Sequence, residues 1–268
     1  MAATRVLVLG GTMEARLLVD ALARYHRLDV LLSLAGRTET PISHAVPVRI
    51  GGFGGGEGLA EFIRTGGYQL LIDATHPFAA RISANAAEAV EKTGISAFRL
   101  SRPGWLESKG EYWTHAGSVP DALAHLGPHP RRIFLAIGRQ EAHYALSAPH
   151  HFYLLRSVDP IEPPLVLEQV HCILSRGPFV LEDEISLLRE HRIDIVITKN
   201  SGGDATFAKI EAARLLGIDI IMVARPAASG LPEVETIEAA LRRVEELTAA
   251  PMTISDHAFG SERKKRGV

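Results

Sequence analysis

Val6-Leu7-Val8-Leu9-Gly10-Gly11-Thr12-Met13-Glu14-Ala15 sets the fold of the amino-terminal half. The unbroken apolar run Val6–Leu9 makes Arg5–Leu9 read as a strand buried on both faces, as interior parallel strands are. A paired-glycine turn follows, and an amphipathic helix begins at once, Met13 to Tyr25. Glycine lets a backbone approach a ligand closely, and a helix N-terminus presents free N–H groups and the positive end of its dipole. Thr12 stands where an N-cap belongs. Gly10, Gly11 and Thr12 therefore suit the phosphates of a nucleotide. The stretch departs from the G-x-G-x-x-G pattern, because its glycines are adjacent and the third position is Ala15. A tight βα turn without ligand is the alternative reading.

Outward from this point, strand and helix signals alternate. Strands are expected at Asp29–Leu34, Val46–Ile50, Leu70–Ala74 and Ala97–Leu100, with helices at Leu59–Thr65 and Ala79–Thr93. An irregular stretch from Ser101 to Arg131 contains Arg102-Pro103-Gly104-Trp105, a strand near Tyr112–Thr114 and a helix from Pro120 to Leu126. The rhythm then restarts with strands at Arg132–Ile137, Phe152–Ser157, Val170–Ser175, Ile193–Thr198 and Ile220–Ala224. Helices are expected at Leu181–His191, Ala205–Leu216 and Thr236–Leu247. The simplest account is an α/β protein of two Rossmann-like, doubly wound parallel-sheet domains with a ligand cleft between them. The domains are expected at residues 1–115 and 116–250, with a disordered, polar tail over 251–268.

Ile72-Asp73-Ala74-Thr75-His76-Pro77-Phe78-Ala79 is a second informative stretch. A buried strand runs into three polar side chains, and Pro77 ends the ladder because it has no N–H. Ligands of open α/β sheets bind outside the carboxyl ends of strands. The alternative is that Asp73 and Thr75 only cap the following helix and fasten the turn.

The end of the second strand reads Ser33-Leu34-Ala35-Gly36-Arg37-Thr38. An NAD site usually places an acidic residue there to hold the ribose hydroxyls. A hydroxyl and a guanidinium suit a 2′-phosphate instead. NADPH is therefore the expected cofactor, with Ser33, Ala35, Gly36 and Arg37 near its 2′-phosphate. Gly51-Gly52-Phe53-Gly54-Gly55-Gly56-Glu57-Gly58 lies on the same rim, either as a mobile cover for a flat ligand or as a plain connection.

In the second half, Thr198-Lys199-Asn200-Ser201-Gly202-Gly203 gathers a cation, an amide and a hydroxyl at one strand end. Arg139, Arg176 and Arg225 follow three other strands. Four strand exits ending in Arg or Lys make a basic rim in a chain whose net charge is −2. That pattern implies a polyanionic small substrate.

Composition excludes several classes. The chain has 268 residues, 46% hydrophobic and 22% charged, ordinary for a globular protein. A net charge of −2 provides no field for nucleic acid or anionic membrane. No apolar run reaches the roughly 18–20 residues of a membrane span. The stretch Met1–Leu9 lacks the pattern of a secretory signal, so a cytoplasmic location is expected. A single cysteine, Cys172, forbids an internal disulfide and is expected in the core; no metal site is expected. Nothing fixes the oligomeric state, and a monomer is the expectation. There is no Tyr-x-x-x-Lys pair, no G-x-x-x-x-G-K-[ST] and no G-x-S-x-G.

Leu9–Arg16, Asp73–Ala79, Arg176-Gly177-Pro178-Phe179 and Thr198–Gly203, in this order, resemble the precorrin-6A reductase family of cobalamin biosynthesis. The resemblance runs from Arg5 to about Leu247. It implies reduction of one double bond of the precorrin-6A macrocycle by NADPH, giving precorrin-6B. It also implies that Gly10, Gly11 and Thr12 hold the cofactor pyrophosphate and that Thr75, His76 and Pro77 lie near the nicotinamide. Arg139, Arg176, Lys199, Asn200, Ser201, Gly202 and Arg225 would then orient the carboxylates of the tetrapyrrole. His76 and Lys199 are the candidates for catalysis; the proton comes from such a residue, from solvent or from the substrate's own acid. A reductase of another polycarboxylate, or an NADPH-binding sensor without turnover, are the competing functions.

Overall fold

A computed structural model describes residues 3–36, 43–108 and 113–248. The chain forms two compact units. The first begins with β1 (Thr4–Leu9), α1 (Met13–Leu22), β2 (Leu28–Leu34), β3 (Val48–Ile50) and α2 (Gly56–Gly66), followed by β4 (Leu70–Asp73), α3 (Ala80–Thr93) and β5 (Ser96–Leu100). The chain then builds the second unit, with β6 (Trp113–Ala116), α4 (Val119–Ala124), β7 (Arg132–Ala136), a 3₁₀ helix over Arg139–Ser147, β8 (Phe152–Ser157) and β9 (Val170–Leu174). That unit closes with α5 (Leu181–Glu190), β10 (Ile195–Lys199), a short 3₁₀ turn at Asp204–Thr206, α6 (Ala208–Leu216) and β11 (Asp219–Val223). After Ala227 the chain returns to the first unit with β12 (Glu233–Val234) and α7 (Ile237–Thr248).

Each unit is a six-stranded, wholly parallel sheet. The first has the order β12-β5-β4-β1-β2-β3 and the second β6-β11-β10-β7-β8-β9. The period of two along each strand divides the core. Val6, Val8, Leu70, Ile72 and Phe98 pack with Leu18 and Leu22 of α1 and with Ala240 and Val244 of α7. Leu7, Leu9 and Leu71 face the other way, onto Leu59 and Ile63 of α2 and Ala86 and Ala89 of α3. In the second unit, Phe134, Leu154, Val196, Ile220 and Met222 pack against Leu188 of α5 and Ile210 of α6.

Two expectations change. The expected boundary at 115/116 differs from the observed division, in which 102–227 form one unit and the carboxy-terminal β12 and α7 complete the other. The signal for β12 is two residues long, too short for any alternation, and it is fixed by pairing Glu233 and Val234 with Arg99 and Leu100. The strand expected near Tyr112 belongs to the second sheet, where Trp113–Ala116 pairs with β11. Cys172 is exposed, not in the core, because β9 is the outermost strand and pairs on one side only. The expected tail over 251–268 lies outside the described residues.

Candidate functional site

In both units the strand order reverses direction about a neighbouring pair, β1 with β4 and β7 with β10. Such a reversal opens a crevice at the carboxyl ends of the two strands.

In the first unit, Leu9 is level with Asp73 on one side and Ser33 on the other. Gly10 and Ala74 therefore leave the sheet together, Gly10 N–H donating to Ser33 O at 2.9 Å and Ala74 N–H to Leu9 O at 2.9 Å. A methyl on Gly10 would stand 2.5 Å from Leu32 Cδ1 and 3.2 Å from the Ala15 Cβ, so glycine is what lets α1 seat against β2. Gly11 has a φ of +118°, with open space where a side chain would be. Thr12 caps α1, its Oγ1 accepting Ala15 N–H at 3.0 Å. The same hydroxyl donates its only proton to Ala74 O at 2.9 Å, clamping the two strand exits together. An anion here would meet backbone N–H groups of the first turn of α1, which have no partner within the helix.

Asp73 is fully buried. Its Oδ1 accepts Thr75 N–H at 3.1 Å and the Thr75 hydroxyl at 2.6 Å, while its Oδ2 accepts the Ser83 hydroxyl at 2.6 Å. Asp73 and Thr75 thus fasten the turn, but neither caps α3, whose N-cap is Ala79 with no side-chain bond. Thr75 and Pro77 are buried and His76 is half-buried. His76 Nδ1 accepts Phe78 N–H at 3.2 Å, which leaves the neutral ring's proton on Nε2.

Ser33 is the penultimate residue of β2 and is buried, 5% exposed. The exposed residues just after β2, Ala35–Gly36, carry no carboxylate, and Arg37 lies outside the described residues. The glycine-rich loop is fastened rather than loose. Arg49 donates to Gly51 O at 2.6 Å and Gly52 O at 2.7 Å and stacks 4.0 Å over the Phe53 ring.

In the second unit, Arg139, Arg176, Lys199 and Arg225 all lie at the carboxyl rim of one parallel sheet. Their surroundings differ. Lys199 pairs with Glu141 of the 3₁₀ helix, and burial pulls its ammonium down to about 8. Arg139 lies 3.8 Å from Asp159. Arg225 donates to the carbonyls of Asn200 at 2.9 Å, Arg102 at 2.8 Å and Ser201 at 3.1 Å. Asn200 closes a two-way bond with Trp105, accepting its N–H at 2.7 Å and donating to its carbonyl at 3.0 Å. Arg102 Nε bonds Ser201 O and Gly202 O, and Trp105 Nε1 bonds Gly203 O at 2.9 Å. The carbonyls of 200–203 are therefore all taken, and a Cβ on Gly202 would lie 1.9 Å from Pro103 O. Arg176, after β9, is exposed and makes no ion pair or hydrogen bond among the described residues.

The roles of Arg102, Trp105, Arg49 and Glu141 belong to no sequence motif. A tryptophan in a Pro-Gly stretch is the available signal for the first pair. A buried lysine, Lys209, donates to Thr206 O at 2.6 Å and lies 4.6 Å over the Trp105 ring. Burial, with a smaller push from Arg156, brings it down to about 7.

Two doubly wound parallel sheets, each with a glycine turn at its reversal point, define an α/β protein of the Rossmann type. The family model described as "Precorrin-6x reductase CbiJ/CobK" matches residues 5–245. The precorrin-6A reductase of Sinorhizobium sp is 52% identical over 240 residues, covering 90% of this chain and 92% of that protein. That of Rhodobacter capsulatus is 42% identical over 248 residues, covering 92% and 98%. A solved structure titled "CobK precorrin-6A reductase" superposes with a TM-score of 0.87 at 42% identity, covering 92% of this chain and 98% of that one. The chain belongs to the precorrin-6x reductase family.

Proposed function

We propose that this protein reduces one double bond of precorrin-6A to give precorrin-6B, with NADPH as reductant, in cobalamin biosynthesis. The observation that carries this reading is the 52% identity to a precorrin-6A reductase over nearly the whole of both chains. The geometry of the first unit suits the cofactor. Gly10, the open backbone at Gly11 and the amides of Thr12 and the first turn of α1 receive the pyrophosphate. The carboxylate-free stretch just after β2, Ala35–Gly36 leading to Arg37, suits a 2′-phosphate, with Ser33 supporting it from inside the strand. Thr75, His76 and Pro77 border the nicotinamide end.

NADPH supplies the hydride. The residues of the chain bind, orient and hold protons. Arg139, Arg176, Lys199, the Ser201 hydroxyl and the Gly202 N–H meet the carboxylates of the tetrapyrrole, whereas Asn200 and Arg225 keep that strand exit in shape. Lys199, half-buried and still largely an ammonium at neutral pH, is the first candidate for the proton that must follow the hydride, and His76 the second. No described helix is long and apolar enough to cross a membrane, in keeping with a cytoplasmic biosynthetic enzyme.

Purified protein mixed with NADPH and precorrin-6A should consume the reduced cofactor and change the visible spectrum of the pigment in equal amounts. NADPH binding without consumption would leave a sensor; consumption with other polycarboxylates but not with precorrin-6A would leave a different reductase.

A further inference from the structure

Arg99 occupies the end of β5 and has no part in the reading above. It is level with Asp73 in the β4–β5 ladder and only 7% exposed. Its backbone N–H is held by Pro232 O at 2.8 Å, just ahead of β12. Its Nε lies 3.7 Å from Asp73 Oδ2, and that Nε makes no hydrogen bond among the described residues. The Asp73 carboxylate is meanwhile filled by the Thr75 amide, the Thr75 hydroxyl and the Ser83 hydroxyl. Arg99 therefore acts on Asp73 through its charge and not through a donor fork.

A buried carboxylate is costly unless a countercharge and hydrogen bonds hold it ionised. An ionised carboxylate only accepts. With both Asp73 oxygens accepting, the Thr75 and Ser83 hydroxyls point their protons inward, and the start of the turn is fastened to the end of β4.

We propose that Arg99 is a positioning residue for the reduction: through Asp73 it fixes the Thr75-His76-Pro77 turn that borders the cofactor. This rests on the reading of that turn as part of the NADPH site. Three variants of the full chain test it, with NADPH affinity measured by fluorescence titration and KM and kcat by turnover of precorrin-6A. Arg99→Met should raise the NADPH Kd and KM by roughly tenfold or more, since small misplacements at a reacting centre are costly. Arg99→Lys restores a charge and should stay within about threefold of the parent on both, because no planar fork is in use. A merely structural arginine would lower the melting temperature and the active fraction while leaving KM unchanged. Unchanged KM and NADPH affinity in a folded Arg99→Met variant overturn the proposal, as does an Arg99→Lys variant as impaired as Arg99→Met. Should Arg99→Met fail to fold, the double variant Arg99→Met/Asp73→Asn, which removes both buried charges, takes its place; an unchanged KM there overturns the proposal as well. Gly11→Ala separates the two layers. If it weakens NADPH binding and the Arg99 variants do not, only the role of Arg99 falls; if neither does, the cofactor site itself lies elsewhere.

Discussion

Replacing Arg225 by methionine should destabilise the second unit by roughly 3 kcal/mol. The guanidinium holds three carbonyls, of Asn200, Arg102 and Ser201, at 2.9, 2.8 and 3.1 Å. Each bond contributes about 1 kcal/mol net, toward the lower end for a charged donor because the side chain is half-buried and water competes. With a urea m-value of about 3 kcal/mol/M for a chain of this size, the midpoint should fall by roughly 1 M. Arg225→Lys reaches one carbonyl in place of three, so it should recover only about 1 kcal/mol of the loss. Binding of the tetrapyrrole should weaken in step with the loss of order at 200–203, while NADPH binding stays at the parental level. The assay is paired urea unfolding and absorbance titration on the same preparations. A variant with an unshifted midpoint and a lost affinity for the pigment would show that the guanidinium grips the ligand directly, and the bracing role would be wrong.

Three further outcomes follow from the same geometry. Gly10→Ala should cost about 1–3 kcal/mol by overpacking, since its methyl would sit 2.5 Å from Leu32 Cδ1, and should lower NADPH affinity by lifting α1; calorimetric melting and fluorescence titration check both. Lys199 loses its proton as pH rises through about 8, so the turnover rate should fall on an alkaline limb near that value, and Lys199→Met should abolish the limb along with most of the activity. Lys209 has a folded value near 7 against 10.5 for the free side chain, so between those values the unfolded chain binds more protons and stability rises with pH. The urea midpoint should therefore climb between pH 7 and pH 10 by more in the parent than in Lys209→Met, and equal slopes would refute the assignment.

The strand ends and turns of the candidate site were legible because their signals are local. Gly10 and Gly11 sit between an apolar run and a helix, and the structure uses them as that order implies. Asp73 to Pro77 announced a strand end with polar work to do, and it is one. The signal did not tell which polar groups serve the fold. Thr12 gives its proton to Ala74, and Asp73 turns inward to Ser83. Likewise, four basic residues following four strands looked equivalent, yet Arg225 is committed to backbone carbonyls, Lys199 to Glu141 and Arg176 to neither. A side chain's partner lies on another element, as much as 123 residues away for Arg225 and Arg102, and no spacing in the chain encodes that.

Periodicity and glycine placement, both short-range properties of the backbone, sufficed to specify two parallel α/β sheets and where their strands end. Tertiary structure decided the rest: that Glu233–Val234 and the last helix complete the first sheet, that Cys172 is exposed on an outer strand, and that Arg99 stands beside Asp73. Those outcomes depend on which strand lies next to which, and neighbours in a parallel sheet are chosen by packing between distant segments rather than by the residues on either side in the chain.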